Sequence, residues 1–172
     1  MNLLEPVGQF GTRLLGGKDS SSPRYIFTHL SKNFKELFND DDLDIVDYLD
    51  DDGKSIEPKF YVPTLPIILI NGACGIGTGF STDIPCFNPD DIKDRLLRLV
   101  EDEDSDITEL TPWYKGFTGN VKKVEDNKWT THGVYAIKAN VITITELPIG
   151  TWTEDYKTCL LYTSDAADER LS

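Results

Sequence analysis

Arg24 and Tyr25 are neighbours in the sequence, and together they could carry out chemistry at phosphorus. A tyrosine hydroxyl can act as a nucleophile in covalent catalysis. A guanidinium beside it can hold the non-bridging phosphate oxygens and stabilise the charge that develops during attack. The pair therefore suggests a phosphodiester-cutting site, although an Arg-Tyr pair taken alone is more often structural.

A glycine-rich segment precedes the pair and brings further cations close to it. Residues 8–18 contain Arg13 and Lys18 among several glycines. Glycine lets a backbone approach a large ligand closely, and cations complement phosphate. The segment is not a nucleotide-binding P-loop, because the spacing from Gly11 to Lys18 is one residue too long and Asp19 stands where Ser or Thr would hold magnesium.

The sequence predicts a helix that begins at this site. Ser22 is a suitable N-cap and Pro23 suits the first helical position, so Arg24 and Tyr25 would lie in the first turn. Unpaired N–H groups in that turn favour a phosphate. Apolar residues continue at helical spacing and are predicted to pack beneath the site. They are Leu30, Phe34, Leu37 and Phe38.

The remaining pattern predicts a mixed α/β (α+β) fold. Residues 59–70 form an apolar run interrupted by prolines and are predicted to be extended. Asn88 and Pro89 predict the start of a helix, whose apolar face would cover a sheet. Four alternating segments within residues 119–147 predict that sheet, with turns at Asp126-Asn127 and Ala139-Asn140.

The charge of the chain is unevenly distributed. Its 172 residues carry a net charge of −13, which would oppose DNA binding if it were spread evenly. Residues 1–38 carry +2, whereas residues 39–57 carry −8. We interpret the acidic stretch, and a second one at residues 101–104, as solvated loop. Three cysteines without paired close spacing indicate neither a zinc site nor a disulfide framework.

These motifs resemble the cleavage-site signature of eukaryotic-type type IIA DNA topoisomerases. The likeness covers nearly all of residues 1–157, in the family's order and close to its spacing. The eukaryotic or large-DNA-virus branch fits better than the bacterial gyrase-type branch. The matching segments are residues 8–13, 16–19, 23–28, 57–58, 66, 70–79, 112–116, 144–148 and 151–153.

The resemblance implies a role for each polar residue of the site. Tyr25 would attack a DNA phosphate and keep the 5′ end of the broken strand in a covalent link. Arg24 would stabilise the charge at phosphorus. Gln9, Arg13 and Lys18 would contact DNA near the break through phosphate and minor-groove hydrogen bonds.

Two further DNA contacts are implied by the resemblance. Ile76, which lies between glycines, resembles a wedge that enters between base pairs and bends the duplex. The alternative is an ordinary glycine-rich turn with a buried isoleucine. Cys74 replaces an acidic residue that is common there. Trp152 resembles another DNA-contacting position, and a core tryptophan is its alternative.

The family's activity also depends on parts that we expect to lie outside this chain. The resemblance implies Mg²⁺ held by a carboxylate-rich domain and ATP bound by an ATPase domain, both upstream. No metal ligand is predicted here, since His29 and His132 lack partners at useful spacing. The implied partners are double-stranded DNA and a second copy in a homodimer, which supplies one tyrosine for each strand. A nuclear location is implied, with a viral replication site in the cytoplasm as the alternative.

The resemblance predicts residues 1–38 as the end of a winged-helix domain and residues 39–157 as an α/β tower domain with an antiparallel sheet. Residues 158–172 instead resemble the translation of a transposase adapter used in sequencing libraries, so we expect a non-native tail.

The function expected is that of a fragment of an ATP-dependent type II topoisomerase. The full-length enzyme would relax and decatenate DNA by transient double-strand cleavage, strand passage and religation, and the fragment alone would be inactive. The first alternative is a non-catalytic DNA-binding and bending module of the same fold. The second is a structural interaction module.

Overall fold

A computed structural model describes residues 1–101 and 109–168 of the chain. Part of the acidic stretch at residues 101–104 therefore lies outside the described residues. The helices of the described part are α1 (Phe34–Leu37), α2 (Ile67–Asn71), α3 (Pro89–Glu101) and α4 (Thr153–Asp168), with short 3-10 helices at Pro23–Tyr25 and Asp40–Asp44.

The strands pair two by two. In chain order they are β1 (Leu4–Val7), β2 (Phe27–Leu30), β3 (Tyr48–Asp51), β4 (Lys54–Pro58), β5 (Ala73–Gly77), β6 (Phe80–Ile84), β7 (Asn120–Glu125), β8 (Lys128–His132), β9 (Val134–Lys138) and β10 (Val141–Glu146). Each pairs with its neighbour in sequence, β1 with β2 and so on to β9 with β10. The pairs from β3 onward are antiparallel. The predicted mixed α/β class is confirmed.

The chain divides into two compact units. The first unit comprises Met1–Glu5 and His29–Tyr114, and the second comprises Pro6–Thr28 and Lys115–Ser172.

In the first unit, α3 begins as predicted. The Asn88 side chain accepts a hydrogen bond from the Asp90 N–H at 3.0 Å, and Pro89 opens the helix. A side-chain acceptor at this place satisfies one of the helix's unpaired N–H groups. Phe87 and Ile92 flank the cap and lie in one buried cluster with Ile70 of α2. This cluster is the apolar core of the first unit.

One expectation for the first unit is wrong and another stays a prediction. The residues packed around the core cluster come from α2, α3 and the loops beside them. The strands of residues 119–147 belong to the second unit, so the covering of their sheet by α3 stays a prediction. The run at residues 59–70 is not extended throughout, because α2 begins at Ile67, directly after Pro66. Short apolar runs do not distinguish strand from buried helix, and proline is compatible with a helix start.

In the second unit, the four predicted strands are confirmed, with both turns in place. β7 and β8 join at residues 126–127 and β9 and β10 join at residues 139–140. Asn127 and Ala139 have positive φ angles of 57° and 51°, which tight hairpin turns require. The strands form two separate hairpins and not one four-stranded sheet.

Helix α4 extends through Asp168, so most of the segment predicted to be a non-native tail is helical. Leu160 and Tyr162 on this segment are exposed. Its non-native origin remains a prediction.

Substitution of Ile92 by Ala is expected to destabilise the first unit strongly. Ile92 is only 2% exposed, and removing a buried branched side chain leaves a cavity that costs about 2–5 kcal/mol. Val100 lies on the same helix but is 85% exposed, so Val100→Ala is the control and should change stability by less than about 0.5 kcal/mol. Urea unfolding followed by circular dichroism measures both, and equal effects would contradict the assigned core.

Candidate active site

Tyr25 lies at the end of the 3-10 helix, with its ring 63% exposed. The guanidinium carbon of Arg24 is 5.3 Å from the centroid of this ring, which is within the range of a cation–π contact. The pair therefore presents a hydroxyl and a cation on two neighbouring exposed residues. A ligand phosphate could reach both groups.

The helix predicted at this site is much shorter than expected. It contains only Pro23–Tyr25, and the Ser22 side chain makes no capping hydrogen bond, although Pro23 does occupy the start of the helix. Ile26 is already extended with a φ of −123°, and β2 follows. Ile, Phe and Thr favour a pleated strand, and pairing with β1 satisfies the backbone of this segment. A single turn cannot supply the helix-end phosphate site that the sequence suggested.

The helical spacing predicted for the four apolar residues after the site is also wrong. Leu30 lies in β2 and is exposed, whereas Phe34 and Leu37 belong to the separate four-residue helix α1. Phe34 stacks on Phe38 with ring centroids 4.7 Å apart. A continuous helical period was inferred across a segment that contains a strand and a turn.

Gly8 fixes the backbone of Tyr25. It follows β1 with a φ of +106°, and a Cβ atom at this position would come within 2.8 Å of the Tyr25 carbonyl oxygen. Any other residue would meet both backbone strain and a clash with main-chain atoms. The segment before the loop therefore passes directly against the backbone that carries the candidate nucleophile.

Residues 9–21, here called the cationic loop, are closed by internal hydrogen bonds. The Ser21 N–H donates to the Gln9 carbonyl at 2.9 Å, and the Gly17 N–H donates to the Thr12 carbonyl at 3.0 Å. The Thr12 N–H donates to the Asp19 carboxylate at 2.8 Å. Hydrogen bonds from Thr12 lower the pKa of Asp19 below its ordinary value, because they stabilise the charged form. Asp19 thus holds the loop closed.

The predicted DNA-contacting side chains Gln9, Arg13 and Lys18 all lie exposed on this loop. Lys18 makes an ion pair with Asp155 of α4 at 3.0 Å. The Glu146 carboxylate accepts hydrogen bonds from the N–H and hydroxyl of Thr118, at 3.2 and 3.0 Å. These hydrogen bonds chiefly, with a smaller attraction from Arg13, lower the pKa of Glu146. Sequence analysis assigned neither carboxylate a role, since Asp155 lies outside the matching segments and Glu146 was only one residue of the segment 144–148.

Trp152 is half-buried. The sequence left open whether it is a DNA-contacting residue or a core tryptophan. Its indole lies against Gly16 of the cationic loop, where a Cβ atom would overlap the ring. The Glu154 N–H donates to the Leu14 carbonyl at 3.2 Å, beside this contact. The tryptophan is therefore neither a core residue nor a fully exposed side chain, and it touches the segment that carries the cations.

Ile76 belongs to the first unit and lies near the tip of the β5–β6 hairpin. Its side chain is 94% exposed, so the alternative of a buried isoleucine is wrong. Ile76 pairs with Ser81 and Gly77 pairs with Phe80, leaving two residues at the turn. A Cβ at Gly75 would meet no atom within 4 Å, so the hairpin end is slender as well as apolar. Phe80, also exposed, is a large apolar residue that sequence analysis overlooked.

The structure thus brings Gln9, Arg13, Lys18, Arg24, Tyr25 and Trp152 into the second unit and Ile76 into the first. Among the described residues, no three His, Cys, Asp or Glu side chains lie close enough together to hold a metal ion. No described helix is long and apolar enough to cross a membrane.

The chain matches known proteins over nearly its whole length. Its residues 1–169 match the model of the family described as the A subunit of DNA gyrase/topoisomerase IV. It is 45% identical over 162 residues to DNA topoisomerase 2 of Candida albicans, covering 94% of this chain and 11% of the relative. It is 50% identical over 158 residues to DNA topoisomerase 2 of Bombyx mori, covering 91% of this chain and 10% of the relative.

A third relative, named DNA topoisomerase 2, mitochondrial, from Dictyostelium discoideum, is 47% identical over 158 residues, which are 92% of this chain and 12% of that protein. The chain therefore spans only about a tenth of the relatives it matches.

A solved structure has the same fold. The crystal structure of the Plasmodium falciparum topoisomerase II DNA-binding, cleavage and re-ligation domain superposes with a TM-score of 0.85 at 44% identity, covering 94% of this chain and 22% of that one. The resemblance read from the sequence motifs is confirmed by sequence and by structure. The chain belongs to the DNA gyrase/topoisomerase IV family, and its similar relatives are eukaryotic type II DNA topoisomerases.

Proposed function

We propose that this chain is the part of a type II DNA topoisomerase that cuts and rejoins DNA through Tyr25. The observation that carries the proposal is the exposed Tyr25 ring with Arg24 5.3 Å away, held beside a loop of exposed cations. The name of the solved Plasmodium falciparum domain, which includes cleavage and re-ligation, supports DNA cleavage as the reaction class.

In the proposed reaction, the Tyr25 hydroxyl oxygen attacks a backbone phosphorus. A phosphotyrosyl bond forms to the 5′ end of the broken strand, and the bond from phosphorus to the 3′ oxygen breaks. The phenol proton departs, and a proton is gained by the 3′ oxygen. The phosphotyrosyl ester bond replaces the ester bond to the 3′ oxygen. The reverse attack by the 3′ hydroxyl therefore reseals the strand without a new energy source.

Arg24 is proposed to bind the non-bridging oxygens of the attacked phosphate. Its contact with the Tyr25 ring keeps the charge next to the nucleophile, where it can stabilise the transition state. Gln9, Arg13 and Lys18 are proposed to contact neighbouring phosphates and the minor groove. Because these contacts displace counterions, the affinity for DNA should fall as salt rises.

Ile76 is proposed to act as a wedge between base pairs. Its near-complete exposure on a slender hairpin supports this role, since inserting an apolar side chain unstacks a base step and kinks the duplex. Trp152 is proposed as a further DNA contact through the part of its indole that is not covered.

The described residues do not by themselves fit a magnesium ion, because no cluster of three suitable side chains occurs among them. The cationic loop does not fit the phosphates of ATP, since its N–H groups at Thr12 and Gly17 are used within the loop. We propose that Mg²⁺ and ATP, on which the family's reaction depends, are bound by other parts of the full-length protein.

The proposed architecture follows the family. Residues 1–38 would be the end of a winged-helix domain and residues 39–157 a tower domain. The full-length protein would act as a homodimer on double-stranded DNA, because cutting both strands requires two tyrosines. It would use ATP to pass one duplex through another, relaxing and decatenating DNA. We propose a nuclear location, although the Dictyostelium relative carries a mitochondrial name.

Substitution of Tyr25 by Phe in the full-length protein is expected to abolish covalent DNA complexes while leaving DNA binding in place. Loss of a nucleophile typically lowers the rate by at least about a thousandfold. Tyr135 is the matched control, because its side chain is 67% exposed in the same unit and has no proposed role. Complexes trapped by detergent on end-labelled DNA are the readout. Undiminished trapping by Tyr25→Phe would refute the assignment of Tyr25.

Substitution of Ile76 by Ala is expected to reduce DNA bending, because a methyl group is too short to hold a base step open. Kinks made by inserted apolar side chains are about 20–90°, so energy transfer between dyes at the two duplex ends should fall clearly. Ile45→Ala is the control, since Ile45 is 83% exposed in the same unit but lies away from the hairpin. If both variants bend DNA as the parent does, the wedge role is wrong.

A further inference from the structure

The second half of the cationic loop rests on the beginning of α4. The Glu154 N–H donates to the Leu14 carbonyl at 3.2 Å, and the Lys18 ammonium lies 3.0 Å from the Asp155 carboxylate. Between these two contacts, the Trp152 indole lies against Gly16. Three consecutive contacts thus join one face of the loop to one turn of helix.

The contact between Trp152 and Gly16 leaves no room for a side chain. A Cβ at Gly16 would overlap the Cε2 and Nε1 atoms of the indole, and the backbone there has a φ of +61°. Gly17 has a similar backbone, with a φ of +83°, but a Cβ there would meet only the Phe10 carbonyl oxygen, at 4.0 Å. Both glycines therefore have a positive φ, and only at Gly16 would a side chain meet the indole.

Hydrogen bonds hold the backbone on both sides of Trp152. The Thr151 N–H donates to the Pro148 carbonyl at 3.1 Å, and the Tyr156 N–H donates to the Trp152 carbonyl at 3.0 Å. A turn fixes the backbone before the tryptophan and the first turn of α4 fixes the backbone after it. The indole can hold the loop because its own main chain is held on both sides.

The neighbouring ion pair is the weaker of the contacts. The Lys18 and Asp155 side chains are both more than half exposed, at 64% and 53%. Exposed pairs of this kind change an equilibrium by less than about fivefold. The indole contact, which covers an aromatic face, is the stronger candidate for fixing the loop.

We propose that Trp152 is a positioning residue that holds the cationic loop in its DNA-binding shape by packing on Gly16. The inference rests on the proposed function, and it assigns to Trp152 a role that acts through the loop and needs no direct contact with DNA. Without the indole, Arg13 and Lys18 would sample many positions, so a bound duplex would have to order the loop. Small displacements of binding groups can lower catalytic efficiency by about 100-fold.

The test compares Gly16→Ala with Gly17→Ala in the full-length protein. Both substitutions place a methyl group on a left-handed backbone, but only the first meets the indole. Two readouts are used: the rate of amide hydrogen exchange in a peptide covering residues 9–21 without DNA, and the KM and kcat for relaxation of a supercoiled plasmid. Gly16→Ala should speed exchange and raise KM at least about tenfold more than Gly17→Ala, with kcat changed less.

The same pair of substitutions is then made in a Trp152→Ala background. With the indole removed, the effects of Gly16→Ala and Gly17→Ala should differ much less than in the parent, because the overlap with the indole is gone. Should Gly16→Ala fail to fold, Trp152→Ala and Trp152→Phe serve instead. The alanine variant should speed loop exchange, and the phenylalanine variant should restore part of the protection.

Equal effects of the two glycine substitutions in the parent, or unchanged loop exchange in Trp152→Ala, would overturn the proposal. The exchange measurement needs no DNA. If the parent protein forms no covalent DNA complex, the proposed function fails, while loop exchange still shows whether Trp152 holds the loop.

Discussion

The close passage of Gly8 over the backbone of Tyr25 is the constraint on which the site depends. A side chain at Gly8 would strike the Tyr25 carbonyl, so the chain before the cationic loop can pass this close to the chain after it only because residue 8 is a glycine. The Ser21–Gln9 hydrogen bond then closes the loop above this crossing. Since Tyr25 sits in a helix of only three residues, its position comes from this crossing and not from a long supporting helix.

The cations near Tyr25 belong to a chain that is strongly acidic overall. The net charge of −13 would repel DNA, yet Arg13, Lys18 and Arg24 lie close together in the sequence. The one carboxylate inside the loop, Asp19, accepts an N–H from Thr12, so its charge is partly compensated by the backbone. We propose that these cations bind phosphates locally, because screening limits the reach of more distant acidic residues.

Local signals in the sequence predicted local structure well. The cap at Asn88 and the two hairpins of residues 119–147 each depend on neighbours in sequence, and the structure confirms them. The helix expected after Tyr25 failed because pairing of β2 with β1, a contact across the loop, outweighed an apparent helical period. The contact between Gly16 and Trp152 could not be predicted from the sequence either. The two residues are far apart in the chain, and no sequence pattern links them.

The role of Tyr25 as the nucleophile is tested most directly by identifying the residue that becomes joined to DNA. The full-length protein would be trapped on a duplex oligonucleotide, digested with protease and nuclease, and the nucleotide-bearing peptide sequenced by mass spectrometry. The account predicts a 5′-phosphotyrosyl link on the peptide that contains Tyr25. A link on another residue, or a 3′-phosphotyrosyl link, would contradict it.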